Sequence, residues 1–154
     1  MIAASTLLAG LGSPFGDDQL GWRVVDNVAH FEPQTASIVR LRSADQLLDR
    51  LSGVARLVVC DACQGAGPVG SWHRWRWPDK ELAALRCGST HDLGLAAVLT
   101  LAERLGQLPP SVTIWAVEGA RVDAVREPGG DLSPAVEQAL FDVAARIAAE
   151  LHHA

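Results

Sequence analysis

The sequence predicts an α/β fold: a three-layer sandwich in which a mostly parallel, twisted sheet carries helices on both faces. Three observations lead there. Strand-like and helix-like segments alternate along the chain. The runs at 5–11 (STLLAGL) and 56–60 (RLVVC) are apolar enough for buried strands. Acidic residues fall where such strands end, which is where open parallel sheets place their ligands.

The elements follow in order. The first strand is 5–11. A helix over 18–31 sets Leu20, Val24, Val25, Val28 and Phe31 near one face. Residues 36–41 form a second β-rich run, and Ser43 can cap a helix carrying Leu47, Leu48 and Leu51. The central strand is 56–60. Residues 70–77 (GSWHRWRW) follow with no helix between, so they should pair at an edge, where an antiparallel strand can be accommodated, and stop at Pro78. In that strand His73, Trp75 and Trp77 alternate with Trp72, Arg74 and Arg76, so one face reads as core and the other as a docking surface. Residues 90–105 are helical and 111–117 form another strand. Residues 119–132 are the longest irregular stretch, and their Pro-Gly-Gly run suggests a mobile surface segment. Ser133 as N-cap and Pro134 at the first helical position open a final helix with Val136, Leu140, Val143, Ile147 and Leu151 on its core stripe.

The 154 residues fit one domain, 1–154, and nearly half are apolar, so the expectation is a globular protein with a real core. A net charge of -5 argues against a nucleic-acid ligand. No apolar run reaches transmembrane length, and the N-terminus lacks the basic start of a signal peptide. The three cysteines, Cys60, Cys63 and Cys87, are an odd set unlike a secreted disulfide framework. These features point to a cytoplasmic monomer. Cys60-x-x-Cys63 cannot belong to a four-cysteine zinc site, because only one further cysteine exists. A thiol nucleophile at Cys63 or Cys87 beside His91 is a minor alternative.

Chemistry gathers at three places. Gly10-Leu11-Gly12-Ser13-Pro14-Phe15-Gly16-Asp17-Asp18 follows the first strand. One acid could be a helix cap, but the pair exceeds what a cap needs, and it would repel a phosphate. Asp61 ends the central strand. Ser89-Thr90-His91-Asp92 resembles a capping box, which would set His91 in the first turn of the next helix. The positive end of a helix disfavours a cationic imidazole, and the neutral ring is the form that binds metal. Carboxylates with one imidazole suit a borderline divalent metal such as zinc or nickel.

In these motifs the chain resembles the maturation endopeptidases of [NiFe] hydrogenases. That family opens with a strand, Gly-x-Gly-Asn, an acidic pair and Gly-x-Gly before a helix. Here the pattern reads Gly10-Leu11-Gly12-Ser13, Asp17-Asp18 and Gln19-Leu20-Gly21, with Ser13 in place of Asn and Gln19 in place of Gly. A strand ending in Asp before a glycine-rich turn matches Val59-Cys60-Asp61-Ala62 through Gly65, Gly67-Pro68 and Gly70. Ser-x-His-Asp matches Ser89 to Asp92, and a strand leading into a Glu-containing turn matches Trp115 to Gly119.

The resemblance implies a peptide-bond hydrolase that removes the C-terminal extension of a hydrogenase large-subunit precursor after nickel insertion. It implies metal ligands at Asp18, Asp61 and His91, with nickel supplied by the substrate and no organic cofactor. Asp17 is a candidate general base beside them, so the catalytic set is Asp17, Asp18, Asp61 and His91. Two alternatives stand beside this reading. One is a peptidyl-tRNA hydrolase-like enzyme, suggested by Gly10 to Pro14 but lacking the His-Asn pair that family needs. The other is a non-catalytic nickel-sensing adaptor.

Overall fold

The computed structural model describes residues 5–31, 36–80, 82, 86–87, 94–120 and 129–152. Its strands are β1 (Thr6–Leu11), β2 (Ser37–Leu41), β3 (Arg56–Gln64), β4 (Trp72–Arg76), β5 (Arg86–Cys87) and β6 (Ser111–Glu118). Its α-helices are α1 (Leu20–Phe31), α2 (Leu95–Arg104) and α3 (Pro134–His152), with 3-10 turns at Gly16–Gln19 and Ala44–Arg50. The strand order is β2-β1-β3-β6-β4, and the short β5 pairs with the end of β3. β2, β1, β3 and β6 run parallel, while β4 lies antiparallel on the edge, as its lack of a crossover helix predicts.

Strand alternation divides the core in two. Leu7, Ala9 and Leu11 of β1 join Leu57, Val59, Leu47, Val98 and Leu99 on one face. Leu8, Val58 and Cys60 meet Val24, Val25 and Val28 of α1 and the whole predicted stripe of α3 on the other. Helical layers therefore cover both faces, and the predicted fold class holds. α1 approaches β1 so closely that a Cβ on Gly21 would lie 2.0 Å from Leu11 O and 2.6 Å from Cys60 O, and one on Gly10 would lie 2.3 Å from Gly21 O. Glycine at both positions is what allows that contact.

Several boundaries differ from the sequence reading. β3 continues past residue 60 to Gln64, because Cys63 pairs with both Glu118 and Cys87, so Asp61 lies inside the strand and not at its end. β4 starts at Trp72. The first helix begins as a 3-10 turn and becomes α only at Leu20. Phe31 ends it 61% exposed, off the core stripe. Residues 44–50 form a 3-10 helix, but the Ser43 cap is real and is closed reciprocally by Gln46. α2 is described from Leu95, with Gly94 as its N-cap residue, so it starts later than the predicted residue 90. Ser89 to Asp92 themselves lie outside the described residues.

On the face of β4 that carries Trp72, Arg74 and Arg76, α3 engages the first two, although both arginines remain exposed. Trp72 Nε1 donates to Asp142 at 3.1 Å, Arg146 lies 4.8 Å from the Trp72 ring, and Arg74 pairs with Glu150. Of the irregular stretch, residues 121–128 lie outside the described residues. Gly129 is fixed, however, donating from its amide to Pro14 O at 2.6 Å and bridging Phe15.

Candidate active site

The turn after β1 begins beside Asp61, because Gly10 pairs with Cys60 across the parallel β1–β3 ladder. The turn folds back on itself through Ser13 N to Asp18 O (3.1 Å) and Asp18 N to Phe15 O (3.0 Å). A Cβ on Gly12 would stand 2.4 Å from Asp18 O, so the motif's second glycine is a steric requirement.

The two adjacent acids of this turn have different environments. Asp17 is buried and accepts three hydrogen bonds: Ala120 N at 2.8 Å, Ser133 N at 2.7 Å and Ser133 Oγ at 2.7 Å. A carboxylate so engaged is an anchor, joining the turn after β1 to the ends of β6 and α3. Ser133 holds the predicted position ahead of Pro134, but its hydroxyl donates to Asp17. Asp18 is half-buried on the same turn.

Asp61 is fully buried, and among the described residues neither carboxylate oxygen has a hydrogen-bond partner. Burial holds its carboxyl well above the ordinary carboxylate range, and the charges of Asp18 and Cys63 push the same way. The Ala62 amide opposes this in smallest part, through a contact short of hydrogen-bond geometry. Asp18 and Asp61 are therefore close enough to repel, and Asp61 offers an unsatisfied acceptor of the kind that a cation or a donor would relieve. Burial, with Asp61 and Cys63 adding, pushes the Cys60 thiol far up, so Cys60 is an inert core residue. His91 lies outside the described residues, and among the described residues no three His, Cys, Asp or Glu side chains converge into a metal-holding cluster.

Two further residues shape the site and escaped the sequence reading in this role. Glu118, at the end of β6, accepts Gly65 N at 2.7 Å and Ala66 N at 3.0 Å, pinning the glycine-rich turn beyond Asp61. Gln19 directs its amide nitrogen to Gly16 O, Gly129 O and Gly130 O at 3.1, 3.1 and 3.3 Å. The only advance signal for either was its place in a motif, Glu118 after a strand and Gln19 where the family has glycine.

A sequence model of the family described as hydrogenase maturation protease matches residues 42–150. The chain belongs to that family. It is therefore a hydrogenase maturation endopeptidase, a peptide-bond hydrolase, and this sets aside the tRNA-hydrolase and adaptor alternatives. Among solved structures it is similar to the hydrogenase maturating endopeptidase HybD from E. coli, with 25% identity over 97% of this chain and 93% of that one, and a TM-score of 0.76. The hydrogenase 2 maturation peptidase from Thaumarchaeota archaeon SCGC_AB-539-E09 has the same fold at 24% identity over 96% and 97% of the two chains, TM-score 0.69. So does the [NiFe] hydrogenase maturation protease HybD from Thermococcus kodakarensis, at 19% identity over 96% and 98%, TM-score 0.71. No curated protein matches the chain. The matched span of the maturation-protease family includes Asp61 and Ser89 to Asp92, whereas the turn bearing Asp17 and Asp18 precedes it and is covered by the structural likeness. Among the described residues no helix is long and apolar enough to cross a membrane.

Proposed function

We propose that this endopeptidase removes the C-terminal extension of a [NiFe] hydrogenase large-subunit precursor in the cytoplasm, acting as a monomer, once that precursor carries nickel. One observation supports this above the others: Asp61 is a fully buried carboxylate with no hydrogen-bond partner among the described residues, inside a parallel strand and within electrostatic reach of the half-buried Asp18. Burying such a group is costly unless a partner arrives during function. Nickel within the substrate is a partner of the right charge.

In this reading Asp18, Asp61 and His91 complete the coordination of the substrate's metal and thereby dock the cleavage junction. Nickel would supply Lewis acidity toward the scissile carbonyl or a water. Asp18 is the better placed of the acidic pair to accept a proton from an attacking water, because Asp17 is committed to its three donors. Glu118 and Asp17 hold the surrounding backbone in register. Selectivity follows from donor chemistry. Carboxylate and imidazole ligands give nickel no special claim, so discrimination must come from a metal already seated in the substrate.

The test is cleavage of apo and nickel-loaded precursor, with and without free nickel, by wild type and by Asp61→Asn and His91→Ala. Loaded precursor alone should be cut, and both variants should lose that activity while remaining folded. Equal cleavage of apo and loaded precursor would overturn the checkpoint.

A further inference from the structure

The Cys60-x-x-Cys63 spacing looks like a redox pair, but the sheet separates the two. They lie in one strand at odd spacing, and Cys60 packs into the core cluster under α1 and α3 while Cys63 packs into the other. The residue opposite Cys63 is instead Cys87, its direct partner across the antiparallel β3–β5 ladder. Opposed residues of an antiparallel pair have Cα atoms roughly 4.5–5.5 Å apart. A disulfide spans about 4.4–6.8 Å between Cα atoms. The register thus sets two of the chain's three cysteines at bonding separation and leaves Cys60 out.

We propose that Cys63 and Cys87 form a reversible disulfide, a crosslink tying the strand that carries Asp61 to the segment that leads to His91. Cys63 stands two residues beyond Asp61, and Cys87 four residues before His91. The bond would therefore fix two parts of the proposed site relative to each other. In the reduced protein Cys63 Sγ lies 3.6 Å from Glu118 Oε2, a contact the thiol hydrogen supports and the disulfide would give up. Cys63 is buried, and among the described residues β5 meets β3 at two residue pairs, so oxidation requires local opening of this short ladder to admit an oxidant. The oxidant is a small disulfide such as oxidised glutathione. One cysteine thiolate attacks it, forming a mixed disulfide and releasing one reduced glutathione. The second cysteine then attacks that bond, releasing another. Two protein thiols are oxidised and one glutathione disulfide is reduced to two thiols, which balances. In a reducing compartment such a bond is transient, as a redox-responsive one should be.

The experiment reads thiols, so its outcome is separable from that of the proposed nickel checkpoint. The reduced full-length protein is incubated with oxidised glutathione, alkylated under denaturing conditions and mapped by mass spectrometry. Alkylatable cysteines should fall from the three in the sequence to one, Cys60, with a Cys63–Cys87 crosslinked peptide and full recovery in dithiothreitol. Cys60→Ser should form the same crosslink, and Cys87→Ser should stop at the mixed disulfide or stay reduced. Three alkylatable thiols in wild type, a crosslink that includes Cys60, or glutathione retained without an internal bond would each overturn the proposal.

Discussion

Neighbouring acids with unlike surroundings make unlike predictions. Asp17 accepts three donors, two of them main-chain amides. Asp17→Ala should cost on the order of 2–4 kcal/mol, because it leaves buried amides without acceptors. Asp18→Asn should leave the urea midpoint near wild type and remove cleavage. Asp61 carries a separate prediction. Its folded-state carboxyl is raised, so the folded protein holds a proton that the unfolded chain releases above about pH 3.9. The stability from this site is complete below that pH and is lost progressively as pH climbs toward the raised value. Asp61→Asn removes the penalty. It should stabilise the protein by on the order of 1–3 kcal/mol at pH 7. Its melting-temperature advantage over wild type should shrink toward zero near pH 4. An advantage independent of pH would show that Asp61 is not the titrating group.

The elements of this protein depend on contacts between backbones. The β1–α1 contact leaves no space for a methyl at Gly21. Gly21→Ala should therefore cost about 1–3 kcal/mol by overpacking, read as a lower denaturant midpoint. Gln19 is the corresponding device at the other end of that turn. Gln19→Glu should loosen the attachment more than Gln19→Ala, since a carboxylate would face three carbonyl oxygens. Faster hydrogen exchange at the Gly129 amide, which bonds Pro14 O, is the measurement. These contacts explain what the sequence could and could not reveal. Apolar periodicity found every major strand and the α3 stripe, because burial is encoded locally. The end of β3 was misjudged because β6 and β5 extend it, and those partners are distant in sequence. The role of Glu118 was hidden for the same reason, its acceptors' donors being amides of Gly65 and Ala66 more than fifty residues earlier. The Ser43 cap was legible since Gln46 is three residues away, but nothing local separated a 3-10 from an α turn.

At the scale of the molecule, the carboxyl edge of the sheet is assembled from segments that meet only once the strand order is set. β1 contributes the acidic turn and β3 contributes Asp61, side by side in the ladder. Motif spelling singled out Asp17, Asp18 and Asp61 as candidates, but it could not reveal that Asp61 would be sealed from water while Asp17 became a tether. That tether has a consequence for engineering. One carboxylate grips Ala120 and Ser133 together, and between them Gly129 and Gly130 are held by Pro14 and Gln19. With both ends held, a glycine-serine insert that doubles the number of residues between Ala120 and Gly129 should add about 0.6 kcal/mol of closure entropy. The same insert in an Asp17→Ala background should cost substantially more, measurable as a drop in urea midpoint beyond the sum of the two separate changes. Foreign recognition sequences could then be carried at this position while the sheet beneath keeps its register.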